Sequence, residues 1–303
     1  MKEFVVQLQN ITKQYGATRA LDGLDLEVNK GELFGLVGVN GAGKTTTLSL
    51  VMGFIQASSG RAKVLGLDPW KQAPELHRQI AWLPGDVRLP DAMTGLEWLE
   101  YQTSVAGLDR SNIPALAKEW EVPLERQMRV LSKGNRQKVA LLRLLIAENA
   151  PLLILDEPTS GLDPVAQERL LSSLRDRAKA GATVFFSSHS LSDVQTLCDR
   201  VAVIDRGRVL QVGTVAGLTG GTHTLSVWTR DPISALNLEP WKPHIVTPTH
   251  ATLEGERLLE DALPRLAAFG IERAEFGGMS LERLLEQSHV RNGPAHNMQG
   301  ETS

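Results

Sequence analysis

The first part of the chain alternates apolar and polar residues in a way that predicts strands. Residues 6–8 and 24–28 each show the period-two pattern of a half-buried strand, and a polar turn is predicted between them over residues 16–23. Residues 33–37 form a compact apolar run, which indicates a buried strand, and a glycine-rich loop with a helical pattern follows it. The chain therefore begins with strands that lead into a loop and a helix.

Further along, short apolar runs alternate with helical patterns. Residues 152–155 and 183–186 are typical of buried strands, and residues 86–150 are predicted to be largely helical. Strands that alternate with helices imply a mostly parallel sheet, so the fold class is α/β. A hairpin that turns through Arg206 and Gly207 is predicted to close a first domain, residues 1–213.

The pattern changes after residue 213. Residues 217–221 are rich in glycine and indicate a linker. Residues 219–288 are predicted to form a small α+β domain, because residues 225–229 alternate and residues 257–268 look helical. Residues 289–303 are polar and are expected to be a flexible tail.

Composition narrows the class of protein. The length of 303 residues suits about two domains. A net charge of −3 argues against a nucleic-acid partner, and no apolar run is long enough to cross a bilayer. The single cysteine and the polar N-terminus, which has no apolar leader, favour an intracellular protein.

Residues 38–45 match the phosphate-loop pattern G-x-x-x-x-G-K-[ST]. Its glycines let backbone N–H groups turn towards a polyphosphate, and the following helix N-terminus attracts anions. Lys44 is expected to reach the β- and γ-phosphates, and the Thr45 hydroxyl to ligate Mg²⁺. Because the context is strand, loop and helix, the chain is predicted to bind a nucleoside triphosphate, rather than to carry only a glycine-rich turn.

Two carboxylates, Asp156 and Glu157, follow the apolar strand 152–155. Ligands bind at the carboxyl edge of an α/β sheet, so Asp156 suits the Mg²⁺ shell and Glu157 suits a base for the attacking water. An acidic pair that merely faces solvent is the alternative. His189 ends a third strand and is either a γ-phosphate contact or a structural histidine.

At this point residues 3–213 resemble the ATP-binding cassette (ABC) ATPases. The resemblance rests on several motifs in one order. They are an aromatic at Tyr15, the phosphate loop 38–45, the signature 131–135, the acidic pair Asp156-Glu157, the interface loop 160–163 and His189.

The resemblance implies an ABC-type P-loop fold, with a mixed sheet core, an antiparallel β subdomain and a helical signature subdomain over residues 86–150. It implies catalytic roles for Glu157, His189 and Lys44, and Mg²⁺ contacts for Thr45 and Asp156. The nucleotide contacts it implies are Tyr15, Gly38, Asn40, Gly41, Ala42, Gly43, Lys44, Thr45, Thr46, Ser132, Gly134 and Asp163.

The chain departs from the family where relatives carry a glutamine that meets Mg²⁺. Gly85 stands there and has no side chain to act as a ligand. Asp86 is hypothesised to substitute, since Mg²⁺ prefers carboxylate oxygens; a loop aspartate in a turn is the equal alternative. Lys133 and Asn135 also depart from the signature and make the chain resemble exporter ATPases that pair with separate permeases.

The resemblance implies a function. Two ATP molecules are expected to be sandwiched between this chain and a second copy or a similar subunit, and hydrolysis to drive a separate permease of about six spans. The chain is then expected on the cytoplasmic face of the membrane, with the second domain stabilising or regulating the dimer. The alternatives are a soluble ABC ATPase that acts on a macromolecular complex and an ATP-sensing regulatory module.

Overall fold

The computed structural model describes residues 3–219, 223–230, 244–255, 262, 266 and 270–278. Contacts divide the chain into two units, Met1–Val212 and Gly213–Ser303. The predicted tail 289–303 and most of the predicted helix 257–268 lie outside the described residues.

Strands and helices are numbered in chain order. The strands are β1 (Phe4–Tyr15), β2 (Thr18–Asn29), β3 (Leu33–Val37), β4 (Ser59–Val64), β5 (Ile80–Leu83), β6 (Leu152–Asp156), β7 (Thr183–Ser188), β8 (Arg200–Asp205), β9 (Arg208–Thr214), β10 (His223–Thr229), β11 (His244–Thr247), β12 (His250–Gly255) and β13 (Ile271–Gly278). The helices are α1 (Lys44–Val51), α2 (Ala73–His77), α3 (Gly95–Ala106), α4 (Ile113–Glu119), α5 (Lys133–Ile146), α6 (Pro164–Lys179), α7 (Leu191–Leu197) and α8 (Val215–Thr219).

The first unit is organised around a sheet in the order β5-β6-β7-β3-β8-β9. Neighbouring strands from β5 to β8 pair in parallel, and every residue of β3, β6 and β7 is buried. Helices cover such a sheet, which explains why these strands are continuous apolar runs. The predicted α/β class is confirmed, and the carboxyl ends of β3, β6 and β7 lie side by side.

A smaller antiparallel sheet has the order β2-β1-β4. Tyr15 pairs with Thr18, so only residues 16 and 17 separate β1 from β2, and the longer predicted turn over 16–23 is wrong. The reason is that Leu21 and Leu24 are fully buried against β1, and their burial extends the strand through a stretch that looks polar.

Between β5 and β6 the chain forms α3, α4 and α5, which lie in the range predicted to be helical. A capping box starts α3, where Thr94 accepts from the Glu97 N–H and Glu97 accepts from the Thr94 N–H. Ser132 caps α5 by accepting from the Asn135 N–H at 3.2 Å.

The second unit contains an antiparallel sheet in the order β11-β12-β10-β13. The side chains of Leu225, Val227 and Leu253 are buried in the hydrophobic core of this unit. The predicted linker 217–221 is wrong in its first part, because α8 extends to Thr219: Leu218 is buried there, and the Thr214 hydroxyl accepts from the Gly217 N–H. In the described part of the chain, no helix is long and apolar enough to cross a membrane.

The buried sheet gives a stability prediction. Val184→Ala in β7, at a fully buried position, should lower the free energy of unfolding by about 2 kcal/mol, through lost apolar burial and the cavity left behind. Chemical denaturation of the full chain measures this effect. The matched control is Val165→Ala at the start of α6, where the side chain is 66% exposed and no loss is expected. Equal losses in the two variants would contradict the packing described here.

Candidate functional site

The phosphate loop connects β3 to α1. A Cβ on Gly38 would lie 2.3 Å from the Ile204 carbonyl oxygen of β8, so no other residue fits there without backbone movement. Gly43 has φ +109°, a conformation that favours glycine, and it directly precedes α1. The loop is therefore shaped by close approach at one end and by a left-handed turn at the other.

Lys44 is the first residue of α1, and its side chain is only 6% exposed. The ammonium donates to the carbonyl oxygens of Gly38 at 2.8 Å and Val39 at 3.3 Å, and lies 3.2 Å from Glu157 Oε1. These contacts hold the charge inside the curve of the loop. An anion seated in the loop would meet this ammonium together with the N-terminus of α1.

Asp156 ends β6 and is 3% exposed. The Thr45 hydroxyl donates to Asp156 Oδ2 at 2.8 Å, and the Ser187 hydroxyl donates to Oδ1. Among the described residues, no lysine or arginine forms an ion pair with this carboxylate. A buried carboxylate without a cation is costly, so the donor set of Asp156 and Thr45 fits a hard divalent cation such as Mg²⁺.

Glu157 has φ +50°, which costs a residue with a Cβ on the order of 1–3 kcal/mol. Its N–H donates to the Ser187 carbonyl oxygen at 3.2 Å. One carboxylate oxygen faces Lys44 and the other contacts His189 Nδ1. The strained backbone thus turns the side chain away from the sheet and towards the phosphate loop.

These groups share one cavity of about 590 Å³. Its lining includes most of the predicted phosphate-loop residues together with the acidic pair and the histidine: Asn40, Gly41, Gly43, Lys44, Thr45, Thr46, Asp156, Glu157 and His189. Gly38 and Ala42 belong to the same loop but do not line the cavity. The structure therefore brings the predicted phosphate, metal and base residues together.

Tyr15 lies beside this cavity. It is half exposed and pairs with Thr18, which does line the cavity, and the Lys13 ammonium sits 4.8 Å from the centre of its ring. An aromatic ring at this position is able to stack on a base whose phosphates occupy the loop.

Asp86 also lines the cavity, at its exposed rim. Its carboxylate is 76% exposed and lies 2.8 Å from Arg88 Nε. Gly85 sits deeper, because a Cβ there would lie 3.3 Å from Asp156 Oδ2. The backbone at position 85 thus packs tightly against the buried carboxylate, and glycine fits there without a close Cβ contact.

The signature residues 131–135 do not line the cavity that contains Lys44. An adjoining cavity of about 420 Å³, which shares Gly85, Asp86 and Ser160 with the first, is lined by Leu131 and Lys133, while Ser132 and Gly134 line neither cavity. The Ser132 hydroxyl caps its own helix, and a Cβ on Gly134 would lie 3.2 Å from the Gly161 carbonyl oxygen. The nucleotide contacts predicted for Ser132 and Gly134 therefore stay a prediction, since neither residue lines the cavity that contains Lys44.

Asp163 caps α6 in the loop that follows the acidic pair. It accepts from the Ala166 N–H at 2.9 Å, and its other oxygen is 3.2 Å from Lys138 Nζ. The Ala166 N–H and the Lys138 ammonium both lower the pKa of Asp163, so this carboxylate stays charged to more acidic pH.

Ser187 is the site residue that the motifs miss. It stands opposite Asp156 in the parallel pairing of β6 and β7 and bonds to Asp156 and to the Glu157 N–H. Its position at a strand end two residues before His189 is the signal that points to it.

The chain was compared with known proteins. A family profile described as ABC transporter matches residues 21–160. An uncharacterised ABC transporter ATP-binding protein of Nostoc sp. is 33% identical over 272 residues, covering 87% of this chain and 80% of that protein. The Nod factor export ATP-binding protein I of Cupriavidus metallidurans is 35% identical over 215 residues, covering 69% and 71%. A solved structure described as the ATP-binding subunit of an ABC transporter superposes with a TM-score of 0.65 at 29% identity, covering 71% of this chain and 92% of that one.

Proposed function

The chain belongs to the family of ABC transporter ATP-binding proteins, and from this premise we propose that it is the ATPase subunit of an exporter and drives a separate membrane permease. As a member of the family it binds ATP and hydrolyses it. The observation that carries the residue assignments is the single cavity in which Lys44, Asp156, Glu157 and His189 meet the phosphate loop.

Glu157 is proposed as the base for the attacking water. Its carboxylate is held between two groups, the Lys44 ammonium and the His189 ring, so it faces the place where the loop would present a terminal phosphate. A positioned carboxylate accepts the proton of the water as the oxygen attacks phosphorus. His189 donates to Glu157 through Nδ1 and orients it, and Lys44 neutralises the charge that develops on the phosphate oxygens.

Thr45 and Asp156 are proposed to hold Mg²⁺. Both offer oxygen ligands, and the partners that the described residues give the two oxygens of the buried Asp156 carboxylate are the hydroxyls of Thr45 and Ser187. When bound, Mg²⁺ would neutralise charge on the β- and γ-phosphates. Asp86 is proposed to add a ligand from the exposed rim of the same cavity.

A second ATPase subunit is proposed to complete the site. Ser132 and Gly134 do not line the cavity that contains Lys44, which supports a role for them at the nucleotide of a partner subunit. The N-terminus of α5, a helix of 14 residues, is suited to bind phosphate oxygens. A head-to-tail pair of subunits brings each signature helix to the nucleotide of its partner.

The permease is proposed to dock in a groove formed by α3, α5 and the end of β5. The groove encloses about 290 Å³ and is lined by apolar side chains such as Trp82, Leu89 and Trp98. Arg143 of α5 lies at its edge and also lines a neighbouring cavity of about 780 Å³. Its buried Nε has no hydrogen-bond partner among the described residues, and burial lowers the pKa of Arg143. A carboxylate on the permease segment would complement this charge.

The direction of transport is proposed from the relatives. The Cupriavidus metallidurans relative is named for export, and its alignment with this chain covers 71% of its length. The chain also carries the Lys133 and Asn135 form of the signature. The name of this relative and the form of the signature both support the proposal that the chain drives export.

The test of the hydrolytic site is Glu157→Gln. Turnover of ATP should fall at least about a hundredfold, because the amide does not accept the proton, while ATP binding is retained. Steady-state turnover and size-exclusion chromatography with ATP measure the two effects, and ATP-stabilised dimers should accumulate. Glu168→Gln, at an exposed position of α6, is the matched control and should leave turnover unchanged. Persistent monomers with normal turnover would refute the mechanism.

Asp86→Ala tests the metal ligand at the rim. The Mg²⁺ concentration for half-maximal turnover should rise about tenfold, as expected when one carboxylate ligand is lost. Arg88→Ala is the control, since it breaks the same surface ion pair and keeps the carboxylate. If both variants respond to Mg²⁺ alike, Asp86 is only a turn residue.

Arg143→Met tests the docking groove. We expect ATP turnover of the isolated chain to stay within twofold of the unaltered protein, because Arg143 does not line the nucleotide cavity. With a candidate permease of about six spans co-expressed, the fraction bound to washed membranes should fall about tenfold, as for a lost charge-assisted contact. Arg129→Met, at an exposed site, is the control. Equal recruitment of both variants would place the permease elsewhere.

A further inference from the structure

The loop that follows Glu157 is held by side chains that lie outside the nucleotide cavity. Thr159 is 8% exposed, and its hydroxyl donates to Asp193 Oδ2 at 2.7 Å. Its carbonyl oxygen accepts from Gln167 Nε2 of α6 at 3.1 Å, and the same amide donates to the Leu162 carbonyl oxygen. Side chains of α6 and α7 therefore both form hydrogen bonds with this loop, close to Glu157.

Glu157 needs such support. Its left-handed backbone is unfavourable for a residue with a Cβ, and a conformation of this kind persists only where surrounding contacts hold it. On the upstream side, Asp156 and the Glu157 N–H are fixed to Ser187. On the downstream side, the Thr159 hydroxyl makes the nearest side-chain bond.

Asp193 connects this loop to His189. It lies on α7, four residues after His189, and its N–H donates to Ser190 Oγ at the start of that helix. The Thr159–Asp193 bond thus joins the segment that carries Glu157 to the segment that carries its partner histidine. Neither Thr159 nor Asp193 lines the nucleotide cavity itself.

We propose that Thr159 and Asp193 are positioning residues for ATP hydrolysis, which hold the Glu157 carboxylate between Lys44 and His189. Neither residue lines the nucleotide cavity, so both act through Glu157 and not through the nucleotide. Loss of their bond lets the carboxylate and the imidazole move relative to each other, and small displacements of a reacting group are costly in rate. The inference rests on the proposed role of Glu157 as the base.

The experiment is steady-state ATP turnover by the full chain with Thr159→Val, which removes the hydroxyl and keeps the side-chain shape. We expect kcat to fall about tenfold or more and KM for ATP to stay within twofold, because the phosphate-loop contacts are untouched. Thr159→Ser restores the hydroxyl and should restore kcat. Asp193→Ala should reproduce the loss of kcat. Because Asp193 is only half-buried, this variant should affect folding less than a change at Thr159 does.

Thr103→Val is the matched control. The Thr103 hydroxyl is also buried, but it donates to the Leu99 and Glu100 carbonyl oxygens of its own helix, α3. Its loss should change thermal stability without changing kcat.

The double variant, Thr159→Val with Asp193→Ala, tests whether the two residues act through one bond. Its kcat should be no lower than that of the slower single variant, since both substitutions remove the same hydrogen bond.

Folded Thr159→Val and Asp193→Ala proteins with unaltered kcat would overturn the inference, as would losses that multiply in the double variant. Glu157→Gln, measured alongside, separates this outcome from failure of the proposed function. If Glu157→Gln abolishes turnover while the positioning variants do not, only the positioning role is wrong. If Glu157→Gln turns over ATP normally, the assignment of the base is wrong as well.

Discussion

The parallel pairing of β6 with β7 is the constraint on which the site depends. It sets Asp156 opposite Ser187, so that the acidic pair and the strand that leads to His189 end at the same edge. Pairing of β7 with β3 then brings that edge to the phosphate loop. All three strands are buried, and in a sheet with covered faces the apolar side chains fix which strand residues meet. The chemistry of the cavity follows from this register.

Much of this arrangement could be predicted from the sequence because its signals are local. The phosphate loop requires glycines at particular backbone positions, and Gly38 and Gly43 show why: one meets a neighbouring strand and the other turns left-handed. The buried strands are short apolar runs followed directly by polar residues, and the order of strands and helices implies a parallel sheet. Residues that adjoin these runs, Asp156 and His189 among them, could be assigned to one edge without knowledge of the pairing.

The rest depends on contacts between distant residues. The bond of Ser187 to Asp156 and that of Thr159 to Asp193 join segments about thirty residues apart, and no spacing rule predicts them. The turn after β1 is shorter than the sequence predicts, because Leu21 and Leu24 become buried only when β2 pairs with β1. The end of α8, residues 217–219, has the pattern of a linker because Gly217 favours a loop, whereas the burial of Leu218 favours the helix. In each case tertiary packing overrides local propensity.

The backbone at Glu157 has a consequence for how such a chain changes over generations. At φ +50° the backbone favours glycine or asparagine, whereas the glutamate found there contacts Lys44 and His189 through its carboxylate. In a duplicated copy released from the need to hydrolyse ATP, a change to glycine would relax this backbone but would leave the buried Lys44 ammonium without its carboxylate partner. Backbone preference and side-chain contacts therefore act in opposite directions at this position, so such a copy would be expected to change Glu157 and Lys44 together.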